Sequence, residues 1–443
     1  MRTAELSTYA SANLPRYTSY PTAPHFAPLD EGTWRAWLAR MKPADALSLY
    51  VHIPFCHELC WYCGCHTAVT RSEERIARYA DALHREARLL ALALPADGIV
   101  QHLHLGGGTP STLGAARLAA LLGRLRTLFP FARHPELCVE LDPRTLTEEV
   151  IATLGREGFT RASLGLQDAN PEVQERIGRV QPEATVRAAV ERLRAAGIAS
   201  LNLDVMYGLP GQTRAHVEAT ARLAAELGAD RVAVFGYAHV PWMKPVQNAM
   251  RAEELPGAVE RMEQAAAAAE VLRAAGFVPI GLDHYARPGD SMARAAAAGR
   301  LRRNFQGYTT DDAPMLLGLG ASAIGATPQG YAQNITEEKA YVAAVEAGRL
   351  PVARGIALTP DDILRRECIE RIMCDLALDL DTLPAALLQS ALPGLQALER
   401  DGIVRLAGAW LTVPDESRAF LRHVAACFDA RLAAGRGRHS SAV

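Results

Sequence analysis

The sequence predicts an α/β fold: a partial, open (β/α)6 TIM-like barrel followed by a small, mostly helical C-terminal domain. From about residue 45, short apolar runs alternate with longer Ala/Leu/Arg-rich stretches of helical spacing. About six such runs precede residue 238, after which one long helical stretch breaks the alternation. Beyond GIALTPDD (Gly355 to Asp362) the pattern is helical except for GIVRLAGAWLTV, which reads as a small hairpin.

The predicted strands are LSLYVHI (from Leu47), VQHLHL (from Val100), LCVELD (from Leu137), RASLGLQ (from Arg161), LNLDVMY (from Leu201) and RVAVFGYA (from Arg231). Helical patterns separate them, for example from Arg71 and from Thr213, the latter closing on a glycine suited to a left-handed cap. Parallel strands with right-handed helical crossovers satisfy this order most economically. The boundaries drawn are an N-terminal arm closing over the active site (1–40), the barrel (41–275), an extension completing the active site (276–354) and the C-terminal domain (355–443). The stretch from Leu282 to Gln333 reads as ligand-facing loops around a short apolar element, and residues 433–443 as a frayed terminus.

A chain of 443 residues can enclose a cofactor-sized ligand. Its net charge of −2, with lysine only at Lys42, Lys244 and Lys339, offers no electrostatic case for nucleic acid. The N-terminal stretch has no apolar signal region, and no apolar run is long enough to span a bilayer. A cytoplasmic protein without a membrane partner is expected.

Four of the eight cysteines crowd into YVHIPFCHELCWYCGCHT, with Cys56, Cys60 and Cys63 spaced C-x3-C-x2-C and Cys65 following Gly64. Crowding of this kind argues for metal rather than for a disulfide framework, which would spread its cysteines. Three thiolates can hold three corners of a 4Fe-4S cubane and leave the fourth iron open. The amino and carboxylate groups of S-adenosylmethionine (SAM) can chelate that iron, and one electron then breaks the sulfonium C–S bond. A zinc knot using all four cysteines is the plain alternative. The cluster's place at the C-terminal end of a predicted strand, where βα loops carry function, favours the iron-sulfur reading.

The second strand runs into GGGTP (Gly106 to Pro110), which permits close backbone approach to a ligand, although a tight turn would use the same residues. Glu140, Gln167, Asp204 and the Tyr237-Ala238 turn stand at the ends of later strands. Each suits an ordinary cap or water contact. Their shared level suits a ligand carrying amine and hydroxyl groups, because buried polar groups need partners. His52, His57, His66, His102 and His104 read as packing or hydrogen-bonding residues rather than ligands.

Eight segments together resemble the oxygen-independent coproporphyrinogen III dehydrogenase family of haem biosynthesis, over nearly the whole chain. They are PRYTSYPTA, YVHIPFCHELCWYCGC, GGGTPS, VELDPR, NLDVMYGLPGQT, YAHVP, RNFQGYTT and GIALTPDD. The resemblance implies a radical SAM barrel and conversion of two propionates of coproporphyrinogen III to vinyl groups, giving protoporphyrinogen IX. It implies one 4Fe-4S cluster on Cys56, Cys60 and Cys63, with Cys65 in the motif but off the iron. Two SAM molecules are implied, the first meeting Tyr50, Gly107 and Glu140. The second would meet Tyr62, Gly108, Thr109, Gln167, Arg179, Asp204, Ala238 and Ile324. An electron donor protein such as a flavodoxin or ferredoxin, an electron acceptor of unknown identity, and a monomeric enzyme follow as further expectations.

Four carboxylates on the tetrapyrrole call for cations, and Arg16, Arg179, Arg287, Arg302 and Arg303 are the candidates. Ala169, Gly178 and Tyr62 depart from the family's pattern, where an aromatic, Asn and Phe are usual. Related haem chaperones resemble this chain in C-x3-C-x2-C but carry an aromatic after it and lack PRYTSYPT. Cys65 and that arm therefore point to the dehydrogenase, and a zinc-organised binding module is the alternative from another class.

Overall fold

The computed structural model describes residues 8–432. The segment read as a frayed terminus lies outside them.

Six parallel strands form the barrel: β1 (Ala46–Ile53), β2 (Ile99–Gly107), β3 (Phe131–Leu141), β4 (Arg161–Gln167), β5 (Ser200–Tyr207) and β6 (Arg231–Gly236). They pair in chain order, as successive βα units require. The connecting helices carry caps where the sequence supplies them, such as Ser72 on helix Glu73–Ala93 and Thr213 on helix Arg214–Glu226. Leu49, Val51, Leu103, Leu105, Val139, Leu164, Leu203 and Val232 are buried in one continuous core. The alternate residues face the inside of the sheet's curve, where register sets them in levels. Tyr50 lies opposite His104 and His104 opposite Cys138, while Glu140 lies opposite Ser163 and Ser163 opposite Asn202.

Where loops around one apolar element were expected, between Leu282 and Gln333, the chain instead extends the sheet. β7 (Met315–Leu319) runs parallel to β1 on its outer side, and β8 (Ile324–Thr327), β9 (Gly330–Asn334) and β10 (Val352–Ala357) continue the sheet antiparallel. Two further strands, His284–Ala286 and Val278–Ile280, extend the other edge beyond β6. The glycines that read as loop signals serve packing. A β-carbon on Gly330 would come within 2.7 Å of the Trp37 ring, and one on Gly325 within 3.1 Å of Trp34. Helix Glu31–Leu38, which carries both tryptophans, thus lies directly on the bare backbone of β8 and β9.

At the N-terminal ends of the strands, charged side chains pair inside the barrel. Arg231 bonds Asp290 at 2.8 Å and Arg161 bonds Glu136 at 2.6 Å. A second core gathers Ile369, Ile372, Leu395, Leu411, Val424 and Phe428, and the Tyr17 and Tyr20 rings of the N-terminal segment are buried in it. The hairpin read from GIVRLAGAWLTV is present as Arg405–Ala407 paired with Trp410–Thr412, joined by a third strand, Ala377–Asp379. Among the described residues no helix is long and apolar enough to cross a membrane.

Candidate active site

The three spaced cysteines leave β1 on a loop pinned at several points. Phe55–Cys56 pairs with Ala68–Val69, the Trp61 amide donates to the Ile177 carbonyl at 3.0 Å, and the Cys63 amide donates to the Cys60 carbonyl at 3.1 Å. Lys244 Nζ reaches the Cys65 carbonyl at 2.8 Å, and Gln247 Nε2 bridges the Tyr62 and Ala238 carbonyls at 3.1 and 3.2 Å. Those two residues fasten the segment after β6 to the cysteine loop.

Two guanidiniums and a hydroxyl surround two of the sulfurs. Arg179 Nη1 and Arg144 Nη2 lie 3.4 and 3.5 Å from Cys60 Sγ, and Thr109 Oγ1 lies 3.5 Å from Cys56 Sγ. Asp142 holds both guanidiniums, bonding Arg144 at 2.7 Å and Arg179 at 3.2 Å. Burial works against the Asp142 charge, but the two arginines more than offset it and hold its carboxyl below the ordinary range. Among the described residues no three His, Cys, Asp or Glu side chains converge as one bound ion requires. A polynuclear cluster asks for something different, since its thiolates hold separate corners, and cation-flanked cysteines on one loop fit that group.

The other expected residues fall around the strand ends. Glu140 takes a hydrogen bond from the Gly107 amide at 3.1 Å and pairs with His104 Nε2 at 2.8 Å. It keeps 38% of its side chain accessible although it lies deep in the barrel, so it lines internal space. Tyr50 bonds His52 Nδ1 at 3.0 Å, and its ring centroid is 5.7 Å from that of His104. Burial opposes a charge on His104, but Cys138 and Glu140 beside it raise its pKa well above the usual imidazole value. Burial likewise opposes the Glu140 charge, and His104 and the Gly107 amide outweigh it. Asp204 accepts from Asn202 at 2.7 Å and Ser163 at 3.2 Å, yet burial and the Glu140 charge push it up to about 6. Two carboxylates in one interior, one of them reluctant to ionise, make a site suited to a cation.

Gly107 adopts φ +112°, and a β-carbon there would press within 2.7 Å of the His52 ring. Gly108 is closed in by the Phe55 carbonyl oxygen, 2.7 Å from where its β-carbon would be. Gln167 ends β4 at φ +64°, a conformation rare for its residue type, and is buried. Arg179 is buried and also donates to the Gly165 carbonyl at 2.9 Å. Tyr62 packs on the cluster of Val173, Ile177, Met206 and Leu209. Ile324 stands apart. Its strand is beside β7, and Gly318 of β7 lies opposite Tyr50, so sheet order places Ile324 on the Tyr50 side, away from Ala238.

The sequence does not single out Asp142, Arg144, Lys244 or Gln247. The DPR that follows β3 was the available signal for the first two. Arg287 and Arg302, expected to face substrate, are engaged elsewhere: Arg287 stacks 4.0 Å over Phe277, and Arg302 pairs with Glu370 at 3.6 Å. Arg179 is committed to Asp142 and Cys60, which leaves Arg16 and Arg303 of the five. The Gly178 departure has a local cause: at φ +62° its position would set a β-carbon 2.8 Å from the Trp61 ring of the cysteine loop.

A family model for the radical SAM superfamily matches residues 50–224, which contain the end of β1, the cysteine loop and strands β2 to β5. The chain is 47% identical to the oxygen-independent coproporphyrinogen III oxidase of Bradyrhizobium diazoefficiens, with both proteins covered in full. It is 40% identical to the enzyme of that name from Salmonella typhimurium, over 94% of this chain and 93% of the relative. The solved structure of the Escherichia coli coproporphyrinogen III oxidase, described as a radical SAM enzyme, matches with a TM-score of 0.90 at 40% identity, covering 94% of this chain and 98% of that one. Similarity at this level over the whole length leaves one assignment, and it agrees with the cysteine loop and the strand-end carboxylates: the chain belongs to the oxygen-independent coproporphyrinogen III oxidase family of radical SAM enzymes.

Proposed function

We propose that this protein converts two propionate side chains of coproporphyrinogen III to vinyl groups without molecular oxygen, giving protoporphyrinogen IX. Each conversion releases carbon dioxide, one hydrogen atom to the cofactor and one electron to an acceptor. In this reading Cys56, Cys60 and Cys63 hold one 4Fe-4S cluster, and two SAM molecules bind. When bound and reduced, that pair supplies a carbon radical able to take a hydrogen atom from the substrate.

The observation that carries the reading is the set of groups sharing the cysteine end of the barrel: Glu140, the Gly107 amide and Asp204. Glu140 and Asp204 present acceptors to a sulfonium-bearing cation. Gly107 and Gly108 let the strand end pass against the His52 ring and the Phe55 carbonyl, which sets the Gly107 amide on Glu140. Arg144 and Arg179 lie against the Cys60 sulfur and Thr109 against that of Cys56. Tyr50, Gly107 and Glu140 would serve the first SAM. Tyr62, Gly108, Thr109, Gln167, Arg179, Asp204, Ala238 and, from the opposite edge, Ile324 would serve the second. A flavodoxin or ferredoxin would deliver the electron to a monomeric enzyme. In the domain division that goes with this reading, residues 1–40, 41–275, 276–354 and 355–443 act as arm, barrel, completing extension and C-terminal domain.

The test is an anaerobic assay of the cluster-loaded protein with coproporphyrinogen III, SAM and a low-potential reductant, following protoporphyrinogen IX and 5′-deoxyadenosine together. Deoxyadenosine without vinyl product would remove the substrate and keep the radical chemistry, the pattern expected of a haem chaperone relative.

The charge arrangement adds a pH dependence. Asp204 must be ionised to favour a cation, and its pKa is pushed up to about 6 by burial and by Glu140. SAM affinity is therefore expected to hold above that value and to fall by up to about tenfold per unit below it. Calorimetric titration of the cluster-loaded protein from pH 5 to 8 reads this directly. The Asp204→Asn variant should bind more weakly and lose the dependence, and a flat wild-type profile would contradict the assignment.

A further inference from the structure

Glu86 is fully buried, on the helix Glu73–Ala93 that follows the cysteine loop, and the reaction as described makes no use of it. Three donors meet its carboxylate: the Gly320 amide at 2.7 Å, the Tyr341 hydroxyl at 2.5 Å and Asn334 Nδ2 at 2.6 Å. No cation is among these described partners. Burial pushes the carboxyl up to about 7 against the pull of the three donors, so the charge is held at a cost. Packing alone would be served by carbon here, with no donors to satisfy.

The contacts centre on the turn 320–323 between β7 and β8. Asn334 Nδ2 also donates to the Gly320 carbonyl at 2.9 Å, so Gly320 is gripped at both its amide and its carbonyl. Earlier on the same helix the buried Tyr79 hydroxyl accepts the Ala321 amide at 2.8 Å and donates to the His52 carbonyl at 2.8 Å. His52 is the penultimate residue of β1, just before the cysteine loop. The turn also touches β1 directly. Gly320 sits at φ +97°, and a β-carbon there would come within 2.4 Å of the His52 carbonyl oxygen. Ser322 in the same turn is held at φ +65°, which residues with side chains seldom adopt. The other side of the cysteine loop is tied to the same unit, since His66 bonds the Thr336 carbonyl at 2.6 Å, just beyond β9.

We propose that Glu86 is a positioning residue of the reaction centre: by holding the turn 320–323 it fixes β8, with Ile324 at its start, against the cysteine end of β1, and so sets the SAM seat between them. This rests on the SAM assignments proposed above and adds a residue that acts through others.

The test compares the cluster-loaded wild type with Glu86→Gln and Tyr341→Phe, reading iron content, SAM affinity by calorimetric titration and the deoxyadenosine formed per vinyl group. Glutamine sets an NH2 group against one of the three donors, so one partner must turn away. Phenylalanine removes a single donor and keeps the carboxylate. Glu86→Gln is expected to keep its iron, to bind SAM about tenfold more weakly and to form about twice the wild-type deoxyadenosine per vinyl group. Tyr341→Phe should shift both readings in the same direction by a smaller factor. A role in stability alone would move the midpoint of denaturant unfolding and leave affinity and ratio at their wild-type values in the folded, loaded protein. Those wild-type values in Glu86→Gln, or in Tyr341→Phe where Glu86→Gln does not fold or load, overturn the proposal. A wild type that does not bind SAM or makes no vinyl product overturns instead the reading on which it rests.

Discussion

Replacing Cys60 with alanine is expected to strip the protein of most of its iron, from about four per chain to a small residue, and to lower vinyl product formation at least about a thousandfold. Cys60 is the buried member of the three and the one on which both Arg144 and Arg179 converge, so its sulfur has the most neighbours to lose. Removing it would also leave two guanidiniums facing a void beside Asp142. Cys65→Ala is the matched control. Cys65 is exposed, its thiol meets that of Cys63, and Lys244 holds its carbonyl at 2.8 Å whatever the side chain. That variant should keep its iron. Iron analysis with the visible spectrum of anaerobically purified protein separates the two results, and a fully loaded Cys60→Ala protein would show that the cluster is held otherwise.

The largest stability effect is expected at the opposite end of the barrel, at Asp290→Ala. Arg231 is 2% exposed, among the most deeply buried large side chains described, and Asp290 meets its Nε at 2.8 Å. Removing the carboxylate leaves a buried guanidinium charge without that counterion, at a cost of about 3–5 kcal/mol. Asp290 also caps helix Ser291–Ala297 by accepting the Met292 amide at 2.7 Å, which adds to the loss. The shift should appear in the midpoint of denaturant unfolding. Combining it with Arg231→Met should restore part of the loss, because no charge is then left buried. A loss confined to the range of an exposed pair, under about 1 kcal/mol, would show that water reaches Arg231.

The six barrel strands were legible because each is a short apolar run followed by an amphipathic helix, and periodicity reports both. β3 begins earlier than expected, at Phe131 opposite Val100, and an irregular stretch from Ala132 to Pro135 precedes the pairing of Glu136 with His102, so no regular alternation marks its start. The extension after β6 was not legible. Its glycines are there to seat Trp34 and Trp37, and that demand comes from a helix some 290 residues earlier in the chain.

The site shows the same division. Cys56, Cys60 and Cys63 declare themselves by spacing, and Glu140 and Asp204 by standing at strand ends. Asp142, Arg144 and Gln247 gain their roles only through contacts with residues far away in sequence, as when Gln247 reaches the Tyr62 carbonyl at 3.1 Å. The reason for Gly178 lies in the Trp61 ring packed against it, more than 100 positions earlier in the chain. Arg287 and Arg302 attract notice by their charge, and packing that composition does not encode turns them to Phe277 and Glu370.

The burial of Tyr17 and Tyr20 bears on the order in which the molecule is assembled. Tyr17 OH donates to Asp429 at 3.1 Å, and Arg422 takes the Pro15 carbonyl at 2.9 Å, so the segment's partners are separated from it by some 400 residues. A ribosome releases the N-terminal residues first. Throughout synthesis of the barrel these two tyrosines have no core to enter, and the cysteine loop is complete long before they dock. The N-terminal segment docks only when the last helices have emerged, so the seam between the two ends of the described chain is the last to close.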